Sequence, residues 1–281
     1  VLPTCFTLDF NKWEDRLNQY GSFSKSEINT YKIALKNITI NGIKRINNDL
    51  KLITKIESRY KKIINSRTKN IDKALMLLDE CKEFGTLPFA HLARAAFISI
   101  AILKSAVKAK IISEEALNSF LSSIETVSHE FTADLQTLNK SNTKDAWKKF
   151  LNRYGHLRPG TYDITSLSYF EAKDKYLSKE NKFNLNSKLS DKKNWNKEKN
   201  FLFDELRKEG LSFSNQEFEN FLYSSIEGRE YSKFIFTKNL SKSLDYLIEF
   251  GLSFELDREF LSHLPLSSFY DYQKGIINDI S

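Results

Sequence analysis

The sequence predicts an all-α protein, a multi-helix bundle around one buried central helix. Only 9 glycines and 4 prolines occur among 281 residues, a shortage of turn formers that favours long helices over a β-sandwich or barrel. Over long stretches the apolar residues recur in steps of three and four, which keeps one face of a helix buried. Hydrophobic residues make up 41% and charged residues 28% of the chain, the composition of a folded globular protein.

The N-terminal region predicts a short strand followed by two helices. Within residues 1–10, after Pro3, the side chains alternate between two sides, a pattern typical of a strand: Thr4, Phe6, Leu8 and Phe10 against Cys5, Thr7 and Asp9. Ser24 and Glu27 match a capping box, in which each side chain bonds the other's backbone N–H, so a helix should begin directly after Ser24. We expect that helix to end near Gly42. A second apolar stripe, over 43–63, predicts the next helix.

The helix over 43–63 carries a basic face. Its cations are Lys44, Arg45, Lys51, Lys55, Arg59, Lys61 and Lys62. Such a face either tracks a polyanion or is simply solvated. The net charge of +7 favours anionic partners in general, but no aromatic side chain on this face is placed to stack on bases. The sequence therefore favours solvation, and nucleic acid is not an expected partner.

The most apolar helix is expected over 88–108. The preceding helix, 71–84, should end with Gly85 in the left-handed conformation. Pro88 suits the first turn of a new helix, where its missing N–H costs nothing. The helix over 88–108 is apolar on almost every face, so we expect it to be the buried central helix.

Arg94 lies near the N-terminal end of that predicted helix. Together with the free N–H groups and the positive end of the helix dipole, it can hold an anion there. Pairing of Arg94 with a carboxylate such as Glu83 explains the arginine equally well.

Caps and breakers mark the later helices. Ser113 should cap a helix that runs to Leu138, and Thr143 should cap a helix that Gly155 ends. Residues 178–200 are rich in lysine, asparagine and serine and predict a long basic insertion. Helices are then expected over 201–208, 215–226 and 231–250, with an interruption at Gly228 and a last short helix starting at Asp257.

We expect residues 1–281 to form one helical domain cut from a longer protein, because the chain begins at Val1 without an initiator Met or signal peptide. Its blocks are a helical region 1–155, a loop and insertion 156–200, and a helical region 201–281. Cys5 and Cys81 are too few for a disulfide framework and have no metal-ligand spacing. The longest apolar run, 95–103, is shorter than the roughly 20 residues that span a bilayer. A cytoplasmic location away from membranes is predicted.

The stretch 154–163 concentrates chemical groups on a short break between helical regions. With the residue before it, it supplies two guanidinium groups, an imidazole, a phenol and a carboxylate, from Arg153, Arg158, His156, Tyr162 and Asp163. Arginine binds carboxylate or phosphate with a planar fork, and histidine titrates near neutral pH. An internal salt bridge that pins the loop to the helices explains these residues equally well, and His156 can serve only as a C-cap cation.

The sequence contains no nucleophile elbow, phosphate-binding loop, dinucleotide fingerprint or zinc spacing, so we do not expect a complete active site within it. Three stretches carry a family resemblance instead. They are 85–95 (GTLPFAHLARA), 150–164 (FLNRYGHLRPGTYDI) and 227–238 (EGREYSKFIFTK). They resemble motifs of phosphoenolpyruvate-synthase-like proteins, the PEP-utilising enzymes that include the rifampicin phosphotransferases. The resemblance spans about 6–264.

The loop departs from the rifampicin branch at defined positions. Those relatives more often read His-Arg-Gly-Pro-Gly-Glu there. This chain has Leu157 and Arg158 before Pro159, and Thr161 where the glutamate would stand. Rifampicin is therefore not the expected acceptor.

The resemblance implies a bacterial-type, ATP-dependent phosphotransferase of the dikinase kind. In such enzymes an ATP-grasp domain binds ATP with magnesium, a swivelling domain carries a histidine that becomes phosphorylated, and the central helical domain holds a small-molecule acceptor. The motifs of the first two domains do not occur in this sequence. The chain resembles the helical domain alone, which would bind no cofactor, would be inactive by itself, and would partner with the other two domains of the same polypeptide.

Two hypotheses of different classes follow. Under the first, the substrate-binding residues are Arg153, Arg158, Tyr162, Arg94 and Arg229, and the catalytic residues are His156 and Asp163. The arginines would neutralise charge on the acceptor and the phosphoryl group, and His156 or Asp163 would orient or deprotonate the acceptor hydroxyl.

The alternative is a helical interaction module. Its basic faces would dock an acidic partner domain or a polyanion, and the loop would be a structural brace. The two hypotheses differ in geometry. Under the first, His156, Arg158 and Asp163 converge on an open cleft; under the second, they are buried in mutual hydrogen bonds.

Overall fold

The fold is all-α, as predicted. A computed structural model describes residues 2–141, 143–177 and 192–280, and these residues contain helices but no strand. The helices are α1 (Phe10–Gly21), α2 (Lys25–Ile64), α3 (Asn70–Glu80), α4 (Leu87–Lys108), α5 (Glu114–Leu121), α6 (Val127–Ser141), α7 (Lys144–Tyr154), α8 (Lys173–Tyr176), α9 (Lys193–Lys208), α10 (Asn215–Leu252), α11 (Arg258–His263) and α12 (Leu266–Gln273). A π-helical segment, Cys81–Thr86, joins α3 to α4.

The described residues fall into two compact units, each drawn from three parts of the chain. The first unit lies within 1–50, 89–126 and 186–230, and the second within 51–88, 127–185 and 231–281. The long helices α2 and α10 contribute residues to both units.

The predicted N-terminal strand is wrong. The backbone N–H of Phe6 donates to Thr39 Oγ1 at 3.0 Å, and that of Leu8 donates to Ser105 Oγ at 3.0 Å. Helical side chains thus satisfy the donors that a sheet would have used, and α1 begins at Phe10. The alternating pattern reflects the burial of Phe6 and Phe10 in the first unit.

The predicted helix starts are confirmed wherever a cap marks them. At the start of α2 the N–H of Ser24 donates to Glu27 Oε2 at 2.8 Å, and the N–H of Glu27 donates to Ser24 Oγ at 3.3 Å. The same reciprocal box, formed by Ser214 and Glu217, starts α10. Single side-chain caps start α5, α7 and α11, and they are Ser113, Thr143 and Asp257. Capping involves residues within one turn, so the sequence alone predicts it.

The predicted breaks at Gly42 and Gly228 are wrong, because α2 and α10 run through them. Each glycine permits close packing within the first unit. A Cβ on Gly42 would lie 2.9 Å from Ile98 Cδ1, and one on Gly228 would lie 2.9 Å from Leu50 Cδ2. Small size at the contact, and not a left-handed backbone, explains both residues.

The helix predicted to start at Pro88 also has no start there. Residues 70–108 form one continuous helix, with the π-helical segment in the middle. The ring of Pro88 would clash with the carbonyl four residues earlier in a regular helix, and the wide π turn lies directly before it. Gly85 lies inside this segment and is not left-handed. The free helix N-terminus expected beside Arg94 is therefore absent from this part of the chain.

The central helix is α4, whose buried side chains fill the first unit. They include Leu92, Ala95, Ala96, Ile98, Ile102 and Leu103. The helix over residues 70–108 is long and apolar enough to cross a membrane, by length and composition alone. Of its most apolar stretch of 18 residues, 44% is buried. That is weak evidence for a span, because the core helix of a soluble protein passes the same test. The cytoplasmic location stays a prediction.

Two further stretches differ from expectation. The helix predicted over 113–138 is two helices, α5 and α6, separated at 122–126. The predicted basic insertion 178–200 lies outside the described residues up to 191. Its last part belongs to α9, which starts at Lys193 and buries Trp195 completely.

A hydrophobic cluster anchors the end of α7 in the second unit. It comprises Leu135, Leu138, Phe150, Tyr154 and Leu177. Tyr154, the last residue of α7, is fully buried and donates its hydroxyl hydrogen to Asp134 Oδ2 at 2.8 Å. The loop that follows therefore starts from a rigid point.

Gly85→Ala should destabilise the fold. A Cβ there would lie 2.6 Å from Phe236 Cβ, which is bonded directly to the backbone and cannot move aside, so we expect a loss of about 1–3 kcal/mol in the free energy of unfolding. Urea denaturation measures it. Gly42→Ala is the matched control, because its Cβ meets only the mobile end of Ile98 and alanine favours helix. Equal effects of the two substitutions would contradict this account of Gly85.

Candidate functional site

The motif loop, residues 155–170, is closed by its own hydrogen bonds. The N–H of Tyr169 donates to the carbonyl of Leu157 at 2.8 Å, and the N–H of Phe170 donates to the carbonyl of Gly155 at 2.9 Å. These bonds join the two ends of the loop, so it returns to the point where α7 ends.

Arg158 is the most buried charged side chain of the loop. Only 1% of the side chain is exposed. Its Nε donates to Ser241 Oγ at 3.0 Å and its Nη1 donates to the carbonyl of Ser166 at 2.6 Å. Its Nη2 donates to Asp245 Oδ1, and Glu171 lies 3.8 Å from Nη1. The guanidinium is thus surrounded by groups of the second unit.

This geometry gives Arg158 a different task from the one expected. A side chain with 1% exposure does not face a ligand in solution. It ties the motif loop to α10, and it fixes the carboxylate of Asp245. Arg158 is therefore a positioning residue in this structure.

His156 is a neutral histidine. Its Nε2 donates to the carbonyl of Phe234 at 3.1 Å, which assigns the hydrogen to that nitrogen. Burial, reinforced by the charge of Lys238, lowers the pKa of His156 to about 4 even though the hydrogen bond to Phe234 opposes the shift. Nδ1 is buried and has no hydrogen-bond partner among the described residues. An imidazole in this state is neither a cation nor a strong base at neutral pH.

Asp163 and Tyr162 lie at the exposed tip of the loop. The carboxylate of Asp163 accepts hydrogen bonds from the Thr165 hydroxyl at 2.7 Å and the Thr165 N–H at 2.9 Å, and these bonds lower its pKa. Tyr162 is 67% exposed. Asp163 closes a local turn, and neither residue lines the cleft beside His156.

The other predicted arginines are not gathered at the loop. Arg153 pairs with Glu130 and with Asp134 on α6, and nearly half of its side chain is exposed. Arg94 and Arg229 belong to the first unit, where the Arg229 guanidinium lies 5.7 Å from the centre of the Phe97 ring. The second unit thus contains Arg153 and Arg158 but neither of the other two.

A cleft of about 480 Å³ lies in the second unit, between the motif loop and α10. We call it the α10 cleft. Its charged lining residues are Lys238, Lys242, Asp245 and Glu249 of α10, Glu171 and Arg258. His156 and Tyr60 also contribute to the wall. The volume suits a small polar ligand.

The carboxylates of the α10 cleft differ in proton affinity. Burial raises the pKa of Asp245, although Arg158 and Lys242 oppose the shift. Burial acts in the same direction on Glu171, but there the hydrogen bonds from Ser168 and Arg258 outweigh it and lower the pKa. Of these two carboxylates, Asp245 is the better suited to take up a proton.

The sequence patterns did not identify the α10 residues that line the cleft. Lys238, Lys242, Asp245 and Glu249 recur at steps of four, three and four, which places them on one face of the helix. That polar stripe was a usable signal, but the apolar stripe Leu240, Leu244 and Leu247 dominates the pattern. Nothing local in the sequence connects α10 to Arg158, which is 83 residues from Ser241.

Within the described residues, no group of three or more histidine, cysteine, aspartate or glutamate side chains is placed to hold a metal ion. No family model, curated protein or solved structure matches the chain. The resemblance to phosphoenolpyruvate-synthase-like proteins therefore stays a prediction.

Arg158→Ala should destabilise the second unit. The substitution leaves the partly buried Asp245 and the Ser166 carbonyl without their partner, at a cost on the order of 3 kcal/mol. Arg153→Ala is the control, because that ion pair is half exposed and should contribute about 0–1 kcal/mol. Urea denaturation of both variants measures the difference. Similar losses would show that Arg158 is not the brace.

The burial of His156 predicts acid sensitivity. Its pKa is about 4 in the folded chain and near 6.5 when exposed, so the unfolded chain binds the proton first. Stability should be complete above pH 6.5 and should fall, by about 3 kcal/mol, as the pH drops towards 4.

Comparison of the wild type with His156→Gln isolates this contribution. The glutamine can donate to Phe234 without titrating, so its stability should fall less between pH 6.5 and 4 in urea denaturation. His263→Gln is the control, because that side chain is 78% exposed. Parallel pH profiles for His156→Gln and the wild type would contradict the assignment.

Proposed function

We propose that the second unit binds the phosphate acceptor of a phosphoenolpyruvate-synthase-like phosphotransferase in the α10 cleft. The observation that carries the proposal is Asp245, a carboxylate of raised pKa that the buried Arg158 fixes in the wall of the cleft. The loop that resembles the family motif supplies this arginine. Two kinds of support thus meet at the α10 cleft: the family resemblance of the loop and the position of Asp245 in the wall.

Three cations favour an acceptor with negative charge. Lys238, Lys242 and Arg258 all line the α10 cleft. Arg258 is bound to Glu171, and Lys242 Nζ lies 3.8 Å from Asp245 Oδ2. The two lysines are the cations that a carboxylate or phosphate group of the acceptor would meet first.

Asp245 takes the role of base in this proposal. The acceptor hydroxyl attacks phosphorus, its proton passes to the Asp245 carboxylate, and a P–O bond forms. The P–N bond of an incoming phosphohistidine breaks, and its electron pair returns to that histidine. A carboxylate of raised pKa suits this proton transfer, and Lys238 and Lys242, which line the cleft, would neutralise charge that develops on the phosphoryl group.

The other motif residues support the site indirectly. Arg158 holds Asp245, and the neutral His156 lines the cleft without adding charge to it. Asp163 stabilises the loop tip through Thr165. In this proposal, as the resemblance implies, ATP with magnesium and the phosphohistidine belong with other domains of the polypeptide.

Asp245→Asn tests the proposal in the full-length protein. It should reduce phosphate transfer to the acceptor about 100-fold, because the amide does not take up the proton, while ATP-dependent phosphorylation of the carrier histidine continues. Radiolabelled ATP follows both steps. Asp163→Asn is the control and should alter neither step.

Two outcomes would contradict the proposal. One is equal loss of both steps in Asp245→Asn, with circular dichroism showing a folded protein. The other is a full-length protein that acquires no phosphate from ATP at all.

A helical interaction module is the second candidate, and two observations favour it. Arg158 is buried in hydrogen bonds, as expected for a brace. Lys51, Lys55, Lys61 and Lys62 of α2 are exposed. Binding of nucleic acid that weakens steeply with salt and does not respond to Asp245→Asn would support this candidate.

A further inference from the structure

A second, much smaller cavity lies between α2 and α10 in the second unit. It measures about 10 Å³, room for one water-sized group, and we call it the Asn239 pocket. Ile56, Tyr60, Ile235, Lys238 and Asn239 are among its lining residues. Tyr60 and Lys238 also line the α10 cleft, so the two cavities share a wall.

The carboxamide of Asn239 is buried without a partner. The residue is 1% exposed, and neither its amide nitrogen nor its amide oxygen has a hydrogen-bond partner among the residues described. Buried polar groups are normally hydrogen-bonded, since desolvation without a partner costs free energy.

Other buried polar residues nearby on α10 are satisfied. Ser243 donates to the carbonyl of Ala74 at 2.8 Å, and Ser241 accepts a hydrogen bond from Arg158 at 3.0 Å. A leucine of similar size would fill the position of Asn239 without that desolvation cost. The amide is therefore better explained by a group that binds it than by the fold.

The wall between the two cavities contains a flexible side chain. Lys238 Nζ lies 5.2 Å from the centre of the Tyr60 ring, a cation–π contact of modest strength. Lys238 lines both cavities and its stem has several rotatable bonds, so its conformation sets the wall between the Asn239 pocket and the α10 cleft.

We propose that Asn239 binds a hydroxyl group of the ligand held in the α10 cleft, and that the site therefore selects small hydroxylated anions such as polyol phosphates. A carboxamide offers a donor beside an acceptor, and a hydroxyl group both accepts and donates. The Asn239 pocket has room for a hydroxyl but not for a carboxylate or a phosphate. Lys238 and Lys242 bind the anionic end. The inference rests on the proposed function, because it assigns the acceptor to the same cleft.

Calorimetry with two matched probes tests the selection. Glycerol 3-phosphate carries two hydroxyls, and propyl phosphate has the same skeleton without them. The wild-type chain should bind glycerol 3-phosphate about tenfold more tightly, which corresponds to one or two unmet hydrogen bonds in the analogue. Asn239→Leu should bind both probes with the affinity that the wild type has for propyl phosphate.

Thermal unfolding separates a ligand-binding amide from a structural one. Asn239→Leu should unfold at the same temperature as the wild type or higher, because no hydrogen bond is lost. Ser243→Ala is the control and should unfold at a lower temperature, because it loses the bond to Ala74. If Asn239→Leu is as destabilised as Ser243→Ala, the amide serves the fold and the inference is overturned.

The binding results also distinguish this inference from the proposed function. Equal binding of both probes by the wild type would overturn the hydroxyl site and leave an anion-binding cleft, as the proposed function requires. Binding of neither probe would overturn the inference, whereas the proposed function is decided separately by the phosphate-transfer assay of Asp245→Asn.

Discussion

The pair formed by the buried Arg158 and the partly buried Asp245 is the constraint on which the second unit depends. A guanidinium with 1% exposure has lost its hydration, so every one of its donors needs a protein acceptor. Those acceptors come from the loop itself and from α10, which are far apart in the sequence. The loop and α10 must therefore stay together for the charge to remain buried. Such a pair adds little net stability, but removing one of its partners is costly.

The same pair gives the α10 cleft its chemical character. Asp245 is held by Arg158 from the protein side, while Lys242 approaches its other oxygen. Burial raises the pKa of this carboxylate in spite of both cations. The cleft thus combines a fixed carboxylate of raised pKa with two lysines. The interaction that fixes the loop also fixes this carboxylate, so a bracing role for the loop is compatible with the proposed binding site.

Several glycines that the sequence pattern predicts as helix ends are instead sites of close helix packing. Gly42, Gly85 and Gly228 are all helical, and each lies where a Cβ would crowd a side chain from another part of the chain. The sequence does not distinguish a glycine that ends a helix from a glycine that allows two helices to pack closely. The distinction depends on which residue lies opposite, and that residue is remote in the chain.

The sequence by itself determined the all-α class, the capped helix starts and the unusual chemistry of residues 153–163. Periodicity and capping act within one or two turns, so they can be read locally. Only the tertiary structure decided that Arg158 and His156 are buried, that Asp245 and the α10 lysines form the cleft, and that Asn239 is left unpaired. Burial and charge pairing depend on side chains more than 80 residues away, such as Ser241 and Asp245 around Arg158. The physical reason is that desolvation is set by the whole surrounding volume, whereas helix formation is set by neighbours along the chain.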